Sequence, residues 1–148
     1  MSKGFSLLEL LVVIGIIGVL AALSLPNFMA ARERARDTQR KSDLVQIQKA
    51  LEIYKIDHSP PEFVADDNFT FPNTGAKWAN ENDQSIVYMN KVPGDPSGIP
   101  YYYLPDNSTL TYTLAACLEN KADTAGQDCS SLSNFSCTSN SCYILSEP

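Results

Sequence analysis

The run Phe5–Leu25, FSLLELLVVIGIIGVLAALSL, decides the fold. It is predominantly apolar, and Glu9 is its only charged residue. At about 1.5 Å per residue, its 21 residues would form a helix of roughly 31 Å, which is long enough to cross the hydrocarbon core of a bilayer. From Pro26 onward the composition is that of a water-soluble domain. The sequence therefore predicts one membrane-spanning helix near the N-terminus, followed by one globular head.

Charge is segregated along the chain. Between Asn27 and Ile56, seven basic residues oppose four acidic ones, whereas from Asp57 onward three lysines oppose twelve carboxylates. A basic stem below an acidic head suits complementary packing between copies, although an ordinary solvated helix beside an acidic domain gives the same pattern. Glu33 and Asp37 are interleaved with the arginines of the stem, so the pattern does not favour a nucleic-acid surface.

Four cysteines lie in the last quarter of the chain: Cys117, Cys129, Cys137 and Cys142. An even, clustered number in an exported domain predicts two disulfides and therefore an oxidising compartment. Zinc is the alternative, but there is no Cys-x-x-Cys pair and the only histidine is the remote His58. The positive-inside rule would instead keep the basic residues 32–41 cytoplasmic. We give the cysteines precedence and predict that the N-terminus faces the cytoplasm and the head lies outside.

Glu9 is a candidate functional residue because a carboxylate inside a bilayer costs on the order of 3 kcal/mol or more. A cut between Gly4 and Phe5 would create an α-amino group at the tip of the helix, about one turn from Glu9. Because this amine would sit at the end of a rod, a neighbouring copy could present it equally well. The alternative is that Glu9 lies among the lipid headgroups and is simply hydrated.

The segment Lys3–Leu10, KGFSLLEL, resembles the processing signature of type IV pilins and pseudopilins. In that family a prepilin peptidase cuts after the glycine and N-methylates the new first residue. The resemblance implies removal of residues 1–4 as a leader, methylation of Phe5 and an assembly role for Glu9. It also implies four partners, which are the peptidase, the pilus assembly machinery, the membrane before assembly, and further copies of the chain.

Pro26 interrupts the helical pattern because it lacks an N–H donor and strains the preceding turn. In the pilins that this sequence resembles, the helix can extend locally at this place when subunits enter the filament; a static kink is the alternative. Beyond it, apolar residues recur at intervals of three, four and three: Leu44, Ile47, Leu51 and Tyr54. This spacing predicts an amphipathic stem over residues 26–58, after the core helix of residues 5–25. Ser59-Pro60-Pro61 should end the helix near Ile56.

The remaining residues, 59–148, are predicted to form a small α+β head. Three strands are expected to make an antiparallel meander on the stem: Tyr101–Leu104, Thr109–Leu118 and Cys142–Ser146. Residues 83–90 are expected to form one or two helical turns. Four aromatic residues are expected to hold the loop 62–82 against the sheet: Phe63, Phe69, Phe71 and Trp78.

Four cysteines permit three pairings. If the last two predicted strands are antiparallel neighbours, Cys117 lies opposite Cys142, which leaves Cys129 to pair with Cys137. This nested pairing is the one we favour.

The segment Lys91–Tyr101 resembles the turn before the sheet in major pseudopilins of type II secretion systems. It departs from them at Ser97, where those proteins usually carry a tryptophan. Asp123 and Asp128 also lack the alternating ligand spacing of a calcium loop. We therefore expect no calcium, no other metal and no cofactor.

The sequence carries no phosphate-binding loop and no nucleophile motif, so we expect no enzymatic activity. The leading hypothesis is a structural subunit of a type IV pilus-like extracellular filament, serving adhesion, motility or DNA uptake. The precursor would be a single-pass protein of the cytoplasmic membrane before it reaches the cell surface. One alternative is a minor pseudopilin of a type II secretion or competence system. Another is a membrane-tethered binding domain that never polymerises.

Overall fold

A computed structural model describes residues 4–65 and 74–146, without the side chains of Leu25 and Pro26. One helix, α1, runs from Leu7 to Asp57 and precedes the strands. The strands are β1 (Trp78–Ala79), β2 (Val87–Met89), β3 (Tyr102–Asp106), β4 (Thr111–Cys117), β5 (Gln127–Asp128) and β6 (Ser141–Ser146). The predicted α+β class, with a long N-terminal helix and a disulfide-containing C-terminal region, is confirmed.

Helix α1 has 51 residues and is therefore about 77 Å long. Ser6 is its N-cap, and the helix ends at Asp57, one residue beyond the predicted end, because Ser59-Pro60-Pro61 follows. The helical backbone continues through Pro26, so the predicted interruption does not terminate the helix. Residues 1–3 of the predicted leader lie outside the described residues.

The main sheet has the strand order β3-β4-β6-β5, and each neighbouring pair is antiparallel. The three predicted strands are confirmed as β3, β4 and β6, and the short β5 extends the sheet beside β6. Cys117 stands opposite Cys142 in the β4–β6 register, as predicted. The stem face is also confirmed, because Leu44, Ile47 and Leu51 are buried in the core that α1 shares with the sheet.

The helical turns predicted for residues 83–90 are wrong. Val87–Met89 forms β2, which pairs with β1 in a separate two-stranded sheet. Tyr88 is the buried residue of this strand, and its ring meets the edge of Trp78 with the centroids 5.3 Å apart. Tertiary packing of these rings outweighs the local preference of a polar segment. Phe63 is also buried, whereas Phe69 and Phe71 lie outside the described residues.

The nested disulfide pairing is wrong as well. The structure joins Cys117 to Cys137 and Cys129 to Cys142. Leu118 N–H donates to Ser141 O, so Cys117 and Cys142 form the adjacent non-hydrogen-bonded pair, in which Cα atoms are typically about 4.5 Å apart. The loop between them instead brings the other two cysteines to Cα distances of 5.3 and 5.4 Å, close to the usual disulfide spacing. Register alone therefore does not decide the pairing.

Candidate assembly site

The first half of α1 exposes its apolar side chains on every side. Fifteen large apolar residues are exposed: Phe5, Leu7, Leu8, Leu10, Leu11, Val12, Val13, Ile14, Ile16, Ile17, Val19, Leu20, Leu23, Phe28 and Met29. At about 1.5–3 kcal/mol for each buried side chain, leaving them in water forgoes on the order of 20–40 kcal/mol. By length and composition the helix can cross a membrane. This half therefore requires lipid or other protein around it.

Glu9 is part of the N-terminal cap of α1. Its Oε2 accepts the Ser6 N–H at 3.0 Å, and Ser6 Oγ accepts the Leu8 N–H at 3.3 Å, within a reciprocal capping box. Its other oxygen, Oε1, accepts no hydrogen bond from the residues that the structure describes. The positive end of the helix dipole further favours a carboxylate here. The sequence signal for this cap, Ser-x-x-Glu before an apolar run, was present but missed in our sequence analysis.

Gly4 and Phe5 lie exposed, without regular secondary structure, just before the cap. The Phe5 side chain is 82% exposed. A Cβ added to Gly4 would meet no heavy atom within 4 Å. The predicted cleavage point is therefore open, and a larger residue at position 4 does not clash with the folded subunit.

The second half of α1 holds the head through a buried arginine. The Arg40 side chain is 1% exposed and donates to Asp37 Oδ1 at 2.6 Å and to Glu119 Oε1 at 2.7 Å. It also donates to both carboxylate oxygens of Asp95 and to Ser97 Oγ. These contacts keep the pKa of Arg40 above its ordinary value, even though burial acts in the opposite direction. One guanidinium thus joins the helix, the turn before β3 and the segment after β4.

Two of the carboxylates around Arg40, those of Glu119 and Asp95, have a lowered pKa. Glu119 is bound by Arg36 through two hydrogen bonds, and this contact, with Arg40, lowers the pKa of Glu119 to about 2 despite partial burial. Burial would raise the pKa of Asp95, but hydrogen bonds from Arg40 and Ser97 lower it below its ordinary value. Asp37 accepts the backbone N–H groups of Glu119 and Asn120 at 2.9 and 2.8 Å.

Two further contacts complete the junction. Lys41 Nζ lies 2.6 Å from Asp123 Oδ2. Tyr101 donates to Asp43 Oδ2 at 2.7 Å, and burial with this contact raises the pKa of Tyr101 well above its ordinary range. Four of the seven cations of the stem are therefore paired inside the subunit: Arg36, Arg40 and Lys41 with carboxylates of the junction, and Lys55 with Glu52 on the same helix. They are not available for the packing between copies that the charge pattern suggested.

This junction was missed in our sequence analysis, although a signal for it exists. The apolar face of Leu44 and Ile47 continues backward at intervals of four and three residues to Arg40 and Asp37. Charged residues on a buried helix face must be paired, so this continuation predicts a buried ion pair. His58 lies at the end of α1, where its Nδ1 is 2.8 Å from Tyr54 O and its ring stacks on Tyr54 with the centroids 3.9 Å apart.

Residues 1–25 match the family model described as the prokaryotic N-terminal methylation motif. The chain is 37% identical over 123 residues to the type II secretion system core protein G of Pseudomonas aeruginosa, covering 76% of this chain and 80% of that protein. It is 38% identical over 118 residues to the protein of that name in Escherichia coli, covering 76% and 78%. With the type IV wide pilus major component of Thermus thermophilus it shares 50% identity over 58 residues, covering 39% and 44%. No solved structure matches the chain.

Proposed function

The chain belongs to the family of type IV pilins and type II secretion pseudopilins, and we propose that it is the repeating subunit of a type IV pilus-like extracellular filament. It is a pilin-like structural subunit of a filament and not an enzyme. Its role on the cell surface would be mechanical, with adhesion, motility or DNA uptake as consequences of the filament.

The main support for this proposal is the difference between the two halves of α1. The first half exposes its apolar side chains, whereas the second half is bound to the head. Apolar residues are exposed from Phe5 to Met29, whereas Arg40 anchors the head from a buried position. Moving such a helix from lipid into a bundle of identical helices loses little free energy, because apolar neighbours replace lipid. We propose that residues 5–25 form the filament core, residues 26–58 the stem and residues 59–148 the outer layer.

Maturation would remove residues 1–4 by a cut between Gly4 and Phe5, with methylation of Phe5 by the prepilin peptidase. The cut creates an α-amino group close to Glu9. We propose that Glu9 then forms an ion pair with the Phe5 amine of a neighbouring copy, either in place of its hydrogen bond to the Ser6 N–H or in addition to it. Pro26 would allow α1 to extend locally during this packing.

Before assembly, the precursor would be held in the cytoplasmic membrane by the first half of α1, with the head outside. The two disulfides support this orientation, since disulfides persist in oxidising compartments. The contacts of Asp123 and Asp128 support a pilus over a calcium-dependent pseudopilus. Asp123 pairs with Lys41, and Asp128 accepts the Ser130 N–H, so both carboxylates already serve structural contacts.

A second candidate is the repeating subunit of a secretion pseudopilus; the alternative expected from the sequence was narrower, a minor pseudopilin of a type II secretion or competence system. The specific observation in its favour is the extent of the similarity to the core protein G sequences. Their matches cover about three quarters of this chain and thus extend into the head, whereas the pilus relative matches only 58 residues. A pseudopilus subunit would remain with the cell envelope when the surface is sheared.

The test is to shear the surface of cells that express the full chain and to determine the N-terminal residue of the released filaments by mass spectrometry. We expect long filaments whose subunit begins at a methylated Phe5. Material that begins at Met1 would contradict processing, and a dispersed monomer would contradict polymerisation. Retention of all subunits in the envelope would favour the pseudopilus.

Replacing Gly4 by Leu provides the matched control, because the folded subunit has room for the side chain. We expect uncleaved precursor in the membrane and no filaments.

A further inference from the structure

A groove of about 560 Å³ lies where the C-terminal end of α1 meets β1 and β2. The residues that define it are Tyr54, His58, Glu62, Trp78, Glu81 and Tyr88. Tyr54 lies between the other rings, with centroid distances of 3.9 Å to His58, 5.6 Å to Trp78 and 5.2 Å to Tyr88. Trp78 and Tyr88 are buried, so the aromatic surface that the groove presents at the end of the stem is that of the half-buried Tyr54 and His58.

The same groove is acidic. Glu62 and Glu81 are exposed. Burial raises the pKa of Tyr54, and the charges of these two carboxylates raise it further, so both carboxylates lie near its ring. Lys77 is the cation that lines the groove among the described residues, and its Nζ donates to Gln84 O. Aromatic faces combined with carboxylates are well suited to a guanidinium, which stacks on rings and pairs with carboxylates.

Two arginines lie at the opposite end of the stem. Arg32 and Arg34 are exposed, and neither forms an ion pair with any residue that the structure describes. The Arg32 guanidinium lies 4.9 Å from the centre of the Phe28 ring. Both residues lie just below Arg36, the lowest residue of the stem that binds the head through Glu119. These two charges are therefore free to meet another molecule.

The distance along α1 between Arg34 and the groove is close to the length over which the stem contacts the head. From Arg34 to His58 is about 24 residues, or roughly 36 Å along the helix. Contacts between the stem and the head extend from Arg36, through Glu119, to Asp57, which accepts the Tyr88 hydroxyl; this span is about 21 residues, or roughly 32 Å. Copies that share one orientation and are displaced by about this length would meet end to end.

We propose that the acidic aromatic groove at the top of one subunit binds Arg34 at the bottom of the stem of a second copy; Arg32, two residues earlier, points to the opposite side of α1. The inference rests on the proposed function, because only a filament places parallel copies at such an axial displacement. It gives the outer layer its own contact between heads, separate from the apolar packing of the helices in the core. Such a contact is heterologous, so it repeats without closing and suits an open filament.

The test is a charge-reversal cycle in the full-length chain, with the yield of sheared filaments as the measurement. Replacing Glu62 and Glu81 by Lys, or Arg34 by Glu, should each lower the yield at least about tenfold, a loss that corresponds to about 1.4 kcal/mol. The two reversals combined should return the yield to within about threefold of the unmodified chain. Lys49→Glu is the matched control, because Lys49 is an exposed stem cation away from both surfaces, and it should not rescue the groove reversal.

Crosslinking within filaments is a second measurement, and it decides the question if a reversal lowers the amount of processed subunit in the membrane. In filaments of the Arg34→Lys variant, a zero-length carbodiimide should link position 34 of one copy to Glu62 or Glu81 of another. Failure to find this link, or a combined variant no better than either reversal alone, would overturn the contact while leaving the filament intact. Absence of filaments from the unmodified chain would instead overturn the proposed function, and the contact with it.

Discussion

Both halves of α1 are helical, but the surroundings of their side chains differ. From Leu7 to Met29, Glu9 is the only charged residue, and every side chain that the structure describes is exposed. From Asp37 to Asp57 it buries one face, and that face contains a charged cluster as well as leucine and isoleucine. A uniformly apolar composition indicates that a segment needs lipid or protein around it. A charged residue, in contrast, does not indicate whether its partner is water, its own head or another copy.

The largest effect should come from the only charge in the first half. Removing one partner of a buried charge pair costs about 2–5 kcal/mol, so Glu9→Ala should lower the filament yield on the order of 100-fold or more, while the processed subunit stays in the membrane. Glu9→Gln separates two roles, because glutamine preserves the capping box but not the charge. Filaments from the Gln variant at normal yield would show that Glu9 acts only as a cap.

In the second half, Arg40→Met should lower the free energy of unfolding by about 3–5 kcal/mol, since it leaves Asp37 and Asp95 buried without their cation. Chemical denaturation of the detergent-solubilised full chain measures this effect. Arg34→Met is the matched control on the same helix, and as an exposed substitution it should change stability by less than about 0.5 kcal/mol. If both variants lost the same free energy of unfolding, the paired and the exposed arginines of the stem would contribute equally to stability, contrary to this prediction.

The disulfides of the head should contribute somewhat less. Replacing Cys117 and Cys137 together by Ser opens a link with a sequence separation of 20 and should cost about 3 kcal/mol. Replacing Cys129 and Cys142, with a separation of 13, should cost nearly as much. Peptide mapping without reduction should recover these two links, and recovery of a Cys117–Cys142 link would restore the nested pairing.

The smallest effect should be the acid sensitivity of the junction. Because the folded subunit lowers the pKa of Glu119 from 4.5 to about 2, its contribution is fully present above pH 4.5 and is lost as the pH falls toward 2. The loss should be on the order of 2–3 kcal/mol in unfolding measurements across this window. Glu119→Gln should flatten the profile there, and an unchanged profile would show that the Arg36–Glu119 contact does not stabilise the head.

Much of the fold could be predicted from particular residues. The spacing of Leu44, Ile47 and Leu51 predicted the buried face, and Ser59-Pro60-Pro61 predicted the end of the helix to within one residue. The strand β2 could not be predicted in this way, because its conformation depends on Tyr88 packing against Trp78. The disulfide partners likewise depend on how the loop after β4 folds, and not on strand register.

In the candidate site, too, some residues could be predicted from local sequence and others could not. The apolar run, Glu9 and the glycine before Phe5 are local patterns, and a resemblance to pilins could be stated from them alone. The Arg40 junction brings together residues 37, 95 and 119, which are far apart in the chain. No local pattern pairs such residues, even though the continuation of the helix face marked Arg40 as buried.

By itself, the sequence determined that one long helix begins in an apolar run, that the run needs lipid or protein around it, and that a disulfide-containing α+β head follows. These properties depend on the transfer free energy of side chains and on helical periodicity, both of which are read from neighbouring residues. Only the tertiary structure decided which charges of the stem hold the head, which cysteines are joined, and which arginines are left for another copy. Those outcomes depend on which distant groups are desolvated together, and that is known only once the chain has folded.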